Sequence, residues 1–139
     1  MQAGADDASG TTYYFVAADG DAGIIGWIAN TSGTFAITDG SDEKLKKDIV
    51  TTEIDCLAKI KQLRVVDYKW AKIKKDALVH QGFIAQEMQK VFPNVVSTGP
   101  DGFLGVSPAA MVPYLTKGVQ QLEKRIQELE KEVEFLKAA

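Results

Sequence analysis

The sequence predicts an α+β protein in which a short all-β segment precedes a small mixed domain ending in a long coiled-coil helix. Three observations predict it. Apolar clusters alternate with Gly, Asp and Asn turns up to Gly40; all 16 basic residues lie from Lys44 onward; and Val, Ile and Leu recur in heptads near the C-terminus. We therefore divide the 139-residue chain into 1–40 and 41–139.

In the first part, Tyr13-Tyr14-Phe15-Val16, Ile24-Ile25-Gly26-Trp27-Ile28 and Phe35-Ala36-Ile37 are separated by Asp19-Gly20-Asp21, Asn30-Thr31-Ser32-Gly33 and Asp39-Gly40, a strand-turn-strand rhythm. Three short strands bury little core alone, so this part is expected to finish a larger β structure or to pair between chains. Beyond Gly40, the spacing of Ile54, Leu57, Ile60 and Leu63 predicts a helix over 52–63. Alternation in 64–70 and the run Gln81-Gly82-Phe83-Ile84 predict two strands, followed by a helix over 85–91 that stops before Pro93. Val95-Val96 and Phe103-Leu104-Gly105-Val106, around Gly99-Pro100-Asp101-Gly102, predict a hairpin.

Ser107 and Pro108 supply an N-cap and a first-turn proline for a final helix over about 107–138, in which Gly118 interrupts the pattern. Val119, Ile126 and Val133 fall at a, and Leu122, Leu129 and Leu136 at d. The g and e charges, Arg125 with Glu130 and Glu132 with Lys137, favour a parallel homo-oligomer. β-Branched a with Leu d is the dimer preference. The plainer reading is one amphipathic helix packed on its own domain.

A net charge of −3, with bases interleaved among acids, argues against a nucleic-acid partner. No apolar run is long enough for a bilayer and no leader is evident at the start, so a soluble protein without membrane association is expected. Cys56 is the lone cysteine and His80 the lone histidine, too few for a metal site. No cofactor is expected; no phosphate-cradling GxxxxGK[ST] loop occurs, and nucleotide dependence, left open, would use an unrecognised site.

Chemistry points to the seam Asp39-Gly40-Ser41-Asp42-Glu43-Lys44-Leu45-Lys46-Lys47-Asp48-Ile49. A serine becomes a nucleophile when a base takes its proton, and a lysine serves as that base only when neutral. An ordinary lysine is neutral in roughly one molecule in 2,500 at pH 7, so a catalytic one needs an apolar pocket. Leu45 and Ile49 are candidates to wall it. Lys44, Lys46 and Lys47 are all candidates by position; Lys46 reaches Ser41 only if Ser41 lies before any helix. The plainer reading is that Ser41 or Asp42 caps a helix and the lysines are solvated.

The order of Ser41-Asp42, Leu45-Lys46 and Ile49, then Leu63, Val66 and Tyr68-Lys69-Trp70, then Gly82-Phe83-Ile84-Ala85-Gln86-Glu87 and Phe92-Pro93 with Val95-Val96, then the heptad helix, resembles the intramolecular chaperone domain of the S74 peptidase family. Such domains end phage tail spikes, tail fibres and neck appendages, including endosialidases. The resemblance spans 41–139. It implies a homotrimer, against the dimer preference of the heptad, that guides the upstream fibre or spike segment of the same chain and then releases itself. Carried over, Ser41 is the nucleophile, Lys46 the general base, and Gly40–Ser41 the scissile bond. It further implies assembly in the host cytoplasm, with 1–40 retained in the virion and 41–139 released. The alternatives are a non-catalytic trimerisation and folding module, or a cellular homologue such as the self-cleaving domain of a membrane-anchored transcription factor.

His80 and Glu87 are auxiliary candidates, to tune Lys46 or orient Ser41; their plainer readings are a structural histidine and a solvated helix position. Tyr68, Trp70, Met88, Phe92 and Cys56 read as packing residues.

Overall fold

The computed structural model describes residues 10–21, 23–73 and 78–138, which fall in two compact units, 1–52 and 53–139. Among the described residues, three small antiparallel sheets and one long helix make the fold α+β.

In the first unit, β1 (Thr11–Asp19), β2 (Gly23–Thr31) and β3 (Thr34–Asp39) form a meander in the order β1-β2-β3. β2 and β3 are joined by Ser32-Gly33, with φ of +48° and +84° inside the Thr31–Thr34 pair, as the two-residue hairpin turn that matches strand twist demands. Ala29 is buried, whereas Tyr13, Phe15, Ile24, Phe35 and Ile37 are exposed. A three-residue 3-10 turn, Glu43–Leu45, follows β3.

The second unit contains α1 (Cys56–Ile60), β4 (Val66–Tyr68), β5 (His80–Gly82), α2 (Ala85–Val91), a 3-10 turn (Pro93–Val95), β6 (Val96–Thr98), β7 (Leu104–Val106) and α3 (Pro108–Ala138). β4 pairs with β5 and β6 with β7, both antiparallel. The core is Met88, Phe92, Val95 and Met111, ringed by Ile60, Leu63, Val91, Val96, Val106, Ala110 and Tyr114. The Phe92 and Tyr114 rings lie 4.6 Å apart, and Lys59 Nζ donates to the Val91 carbonyl at 3.2 Å.

α1 is shorter than the helix expected over 52–63. Asp55 ends the extended approach by accepting from the Ala58 amide at 2.9 Å, which places Ile54 outside. At the other end, Gln62 and Leu63 bond three residues back instead of four, a tightening that closes the helix. The strands expected over 64–70 and 81–84 shrink to three paired residues each, Val66–Gly82 through Tyr68–His80. α2 occupies 85–91 as expected and Pro93 opens the next turn.

α3 begins as predicted, with Ser107 Oγ accepting from the Ala110 amide at 3.3 Å, and it runs through Pro113. Proline removes one ladder bond there, and packing of Met111 and Tyr114 into the core holds the turn. Gly118 is buried, and Ile60 Cδ1 lies 2.7 Å from where a Cβ would stand, so a larger residue there would force Ile60 to shift. One turn on, Gln121 accepts from the Leu57 amide at 2.9 Å and donates to the Ile54 carbonyl at 3.1 Å, so a side chain from α3 satisfies backbone that opens α1.

Replacing Gln121 with Met strands those groups, and chemical denaturation should show a loss of about 1–2 kcal/mol. Across the unit, Arg64 grips Glu87 with two bonds, 2.6 Å to Oε1 and 3.3 Å to Oε2. The Arg64 hydrogen bond holds the Glu87 carboxyl below the usual glutamate range. A folded value lowered in this way contributes stability above the unfolded glutamate range, which is lost as pH falls through the folded value. Carboxyl NMR titration should place Glu87 below the usual glutamate range, and Arg64→Gln should raise it.

Candidate active site at the end of the third strand

The end of β3 and the turn after it bring the candidate residues together. The last ladder pair is Gly26 with Asp39, and the Gly40 amide extends the ladder by donating to the Ile25 carbonyl at 2.8 Å. Ser41 is therefore the first residue free of the sheet. Asp42 then caps the 3-10 turn, its Oδ1 accepting from the Lys44 amide at 2.8 Å, while Leu45 N donates to Asp42 O at 3.1 Å. Lys46 leaves the turn with extended backbone, φ −121° and ψ 152°. This satisfies the condition that Ser41 precede the helix, since on a continuous α-helix a residue five positions on points about 140° away. Lys46 Nζ donates to Ser41 Oγ at 2.7 Å.

Of the three lysines open on spacing alone, Lys46 makes the bond to Ser41. Lys44 lines a cleft of about 360 Å³ together with Asp21, Ile25, Gly40, Leu45 and Lys46, so the Gly40–Ser41 junction is reachable by water. Asp48, at φ +53°, turns the chain before Ile49; Asp tolerates this left-handed region better than most residues.

Two features differ from a working base. Ser41 and Lys46 are exposed, and Leu45 and Ile49, expected to wall a pocket, are 56% and 62% exposed.

The auxiliary candidates lie in the second unit. His80 stands 5.5 Å from the Tyr68 ring and 6.3 Å from Trp70, centre to centre, and Glu87 is held by Arg64. Tyr68 and Trp70 meet edge to face at 5.4 Å, so these residues form an aromatic cluster. Among the described residues, no group of three or more His, Cys, Asp or Glu is placed to hold a metal ion, and no helix is long and apolar enough to cross a membrane.

The heptad residues Val119, Leu122, Ile126, Leu129, Val133 and Leu136 are all exposed. The structure extends their row backward to Val112 and Leu115, also exposed, which sequence reading missed because Pro113 and Gly118 mask the pattern. Met111, Tyr114, Gly118 and Gln121, which face the helix's own domain, precede the seam residues by one position each and so lie about 100° around the helix. Packing on its own domain therefore does not account for the seam.

No curated protein sequence matches the chain. Residues 41–97, from Ser41 through the first residues of the β6–β7 hairpin, match the family model Peptidase_S74, described as chaperone of endosialidase, and the resemblance to the S74 chaperone family is borne out over that segment.

Proposed function

We propose that residues 41–139 trimerise through the α3 seam, hold the preceding β segment of a phage fibre, spike or neck appendage in register while it folds, and then cut themselves free between Gly40 and Ser41. The observation that carries the reading is the 2.7 Å bond from Lys46 to Ser41 Oγ, beside a glycine pinned to the adjacent strand. The family match supports the chaperone part.

The chemistry needs no group from outside the chain except water. Once Lys46 has lost a proton, Nζ accepts the hydroxyl proton of Ser41 and Oγ adds to the Gly40 carbonyl carbon. The adduct collapses by breaking the Gly40–Ser41 C–N bond, and the Lys46 ammonium returns the proton to the departing Ser41 amine. Water then hydrolyses the ester between Gly40 and Ser41 Oγ, leaving a Gly40 carboxylate and a free serine hydroxyl. Because nucleophile and electrophile are neighbours in the chain, no substrate is captured from solution.

Exposure of Lys46 in the single chain favours a second reading, a folding module without activity. Assembly reconciles the two. Covering Lys46 with apolar surface disfavours its charged form and turns a donor into an acceptor. Cleavage would then follow trimerisation, in the host cytoplasm, with 1–40 kept in the virion. Removal of the template makes folding irreversible, as in other proteins held by a high unfolding barrier.

Intact mass of the freshly expressed chain should show 1–40 and 41–139, whereas Ser41→Ala and Lys46→Ala stay whole; a wild-type trimer that stays whole leaves only the folding module. The double variant Ile126→Glu, Leu129→Glu should sediment as a monomer and cut at least ~100-fold more slowly, because the apolar covering of Lys46 is then lost.

A further inference from the structure

We infer that β2 is a positioning element of the cleavage site, so that cutting depends on the register of β2 against β3. This rests on reading Ser41 as the nucleophile. Three independent features converge on Ile25-Gly26.

The first is the ladder. Gly40 is not a loop residue adjoining the sheet: its amide is bonded to Ile25 at 2.8 Å, one step beyond the Gly26–Asp39 pair, so β2 sets where the scissile carbonyl lies. The second is steric. A Cβ at position 26 would stand 2.8 Å from the Thr38 carbonyl oxygen, and one at position 40 would stand 3.2 Å from the Ile25 oxygen and 3.4 Å from its carbon. Neither glycine has a positive φ, so close approach of backbone, and not turn geometry, accounts for both. The third is a bulge. Pairing of β1 with β2 steps from Ala17–Gly26 to Ala18–Ile24 and passes over Ile25. The residue that β1 leaves out is the one whose carbonyl takes up Gly40, and bulges commonly end pairing or re-aim a strand beside a reactive site.

A one-residue slip of β3 on β2 would turn each side chain to the opposite face. It would carry Gly40 off Ile25, with Ser41 and its hydroxyl following. Displacement of reacting atoms by ~1 Å can cost ~100-fold in rate. The strands that position the bond stay with the retained segment 1–40, so the reaction tests the register of the segment it leaves behind. Gly26 is thus a positioning residue, 14 places upstream of the bond it serves.

The test uses the full chain and the first-order rate at which 41–139 appears by intact mass. Gly26→Ala should remain trimeric by sedimentation and cut about ten-fold or more slowly. Its pH–rate profile should keep the wild-type midpoint with a lower plateau, because Lys46 is untouched. Thr31→Gly weakens the same strand at its far end, where Thr31 Oγ1 and Thr11 Oγ1 share a 3.0 Å hydrogen bond, and should cut within about two-fold of wild type. Should Gly26→Ala fail to assemble, Gly40→Ala, which asks its neighbours to give by only a few tenths of an ångström, replaces it, with the same slowing expected. A correctly assembled Gly26→Ala, or its replacement, cutting at the wild-type rate overturns the inference and leaves the serine–lysine reading standing. Equal slowing by Thr31→Gly also overturns it, since sheet stability alone would then set the rate. A wild-type trimer that does not cut, or a Ser41→Ala chain that does, overturns the underlying reading and the inference with it.

Discussion

Uncovered apolar surface is the constraint on which the rest of this molecule depends. Among the described residues, the buried hydrophobic side chains are Ala29, Cys56, Met88, Phe92, Val95 and Met111. The first unit contributes one of them, and its sheet exposes Tyr13, Phe15, Ile24, Phe35 and Ile37. Covering a large apolar side chain stabilises a fold by about 1.5–3 kcal/mol, so each one left in water is stabilisation not yet realised. A three-stranded sheet needs a packed face to persist. On the proposed reading that surface is supplied by other copies and by the upstream segment, which makes association part of folding.

The long helix divides this requirement between two faces. Near its start, Met111, Tyr114, Gly118 and Gln121 engage the domain, and the small Gly118 lets Ile60 approach. From 122 to 138 every residue is exposed. A helix of that length without packing is marginal in water, because most helical stability in proteins comes from a packed apolar face. The seam from Val112 to Leu136 is the face that remains, and on the proposed reading its overlap with the domain-facing stripe at 111–121 ties the folding of each domain to its alignment with its neighbours.

Legibility in the sequence followed how local each cause was. The three strands of the first unit, the helix over 85–91, the 103–106 strand and the Ser107–Pro108 helix start were readable because turn residues and caps act over three or four positions. The helix over 52–63 was overcalled since Asp55 outranks the apolar spacing of Ile54, and the Gln121 contacts that hold its start span more than sixty residues. At the site, spacing left Lys44, Lys46 and Lys47 equivalent; the short 3-10 turn and the extended backbone at Lys46 distinguish them. The close approach of Gly26 to β3 had no sequence signal, because a glycine within a strand marks a bulge or a near neighbour without saying which.

Placement of the reactive groups also determines what assembly has left to do. Gly40, Ser41 and Lys46 lie within seven consecutive residues of one compact unit, and the hydroxyl already meets the ammonium in a single chain. On the proposed reading, geometry therefore does not distinguish an idle site from a working one; the exposure of Lys46 does. A lysine serves as a base only when neutral, and expulsion of water by a covering apolar surface is what disfavours the charged form. On that reading, a site complete in shape but solvated stays silent for as long as the chain is alone. On the same reading it gains its base when Leu45, Ile49 and their surroundings are covered, so that the apolar surface that drives association is also the switch for the chemistry that ends it.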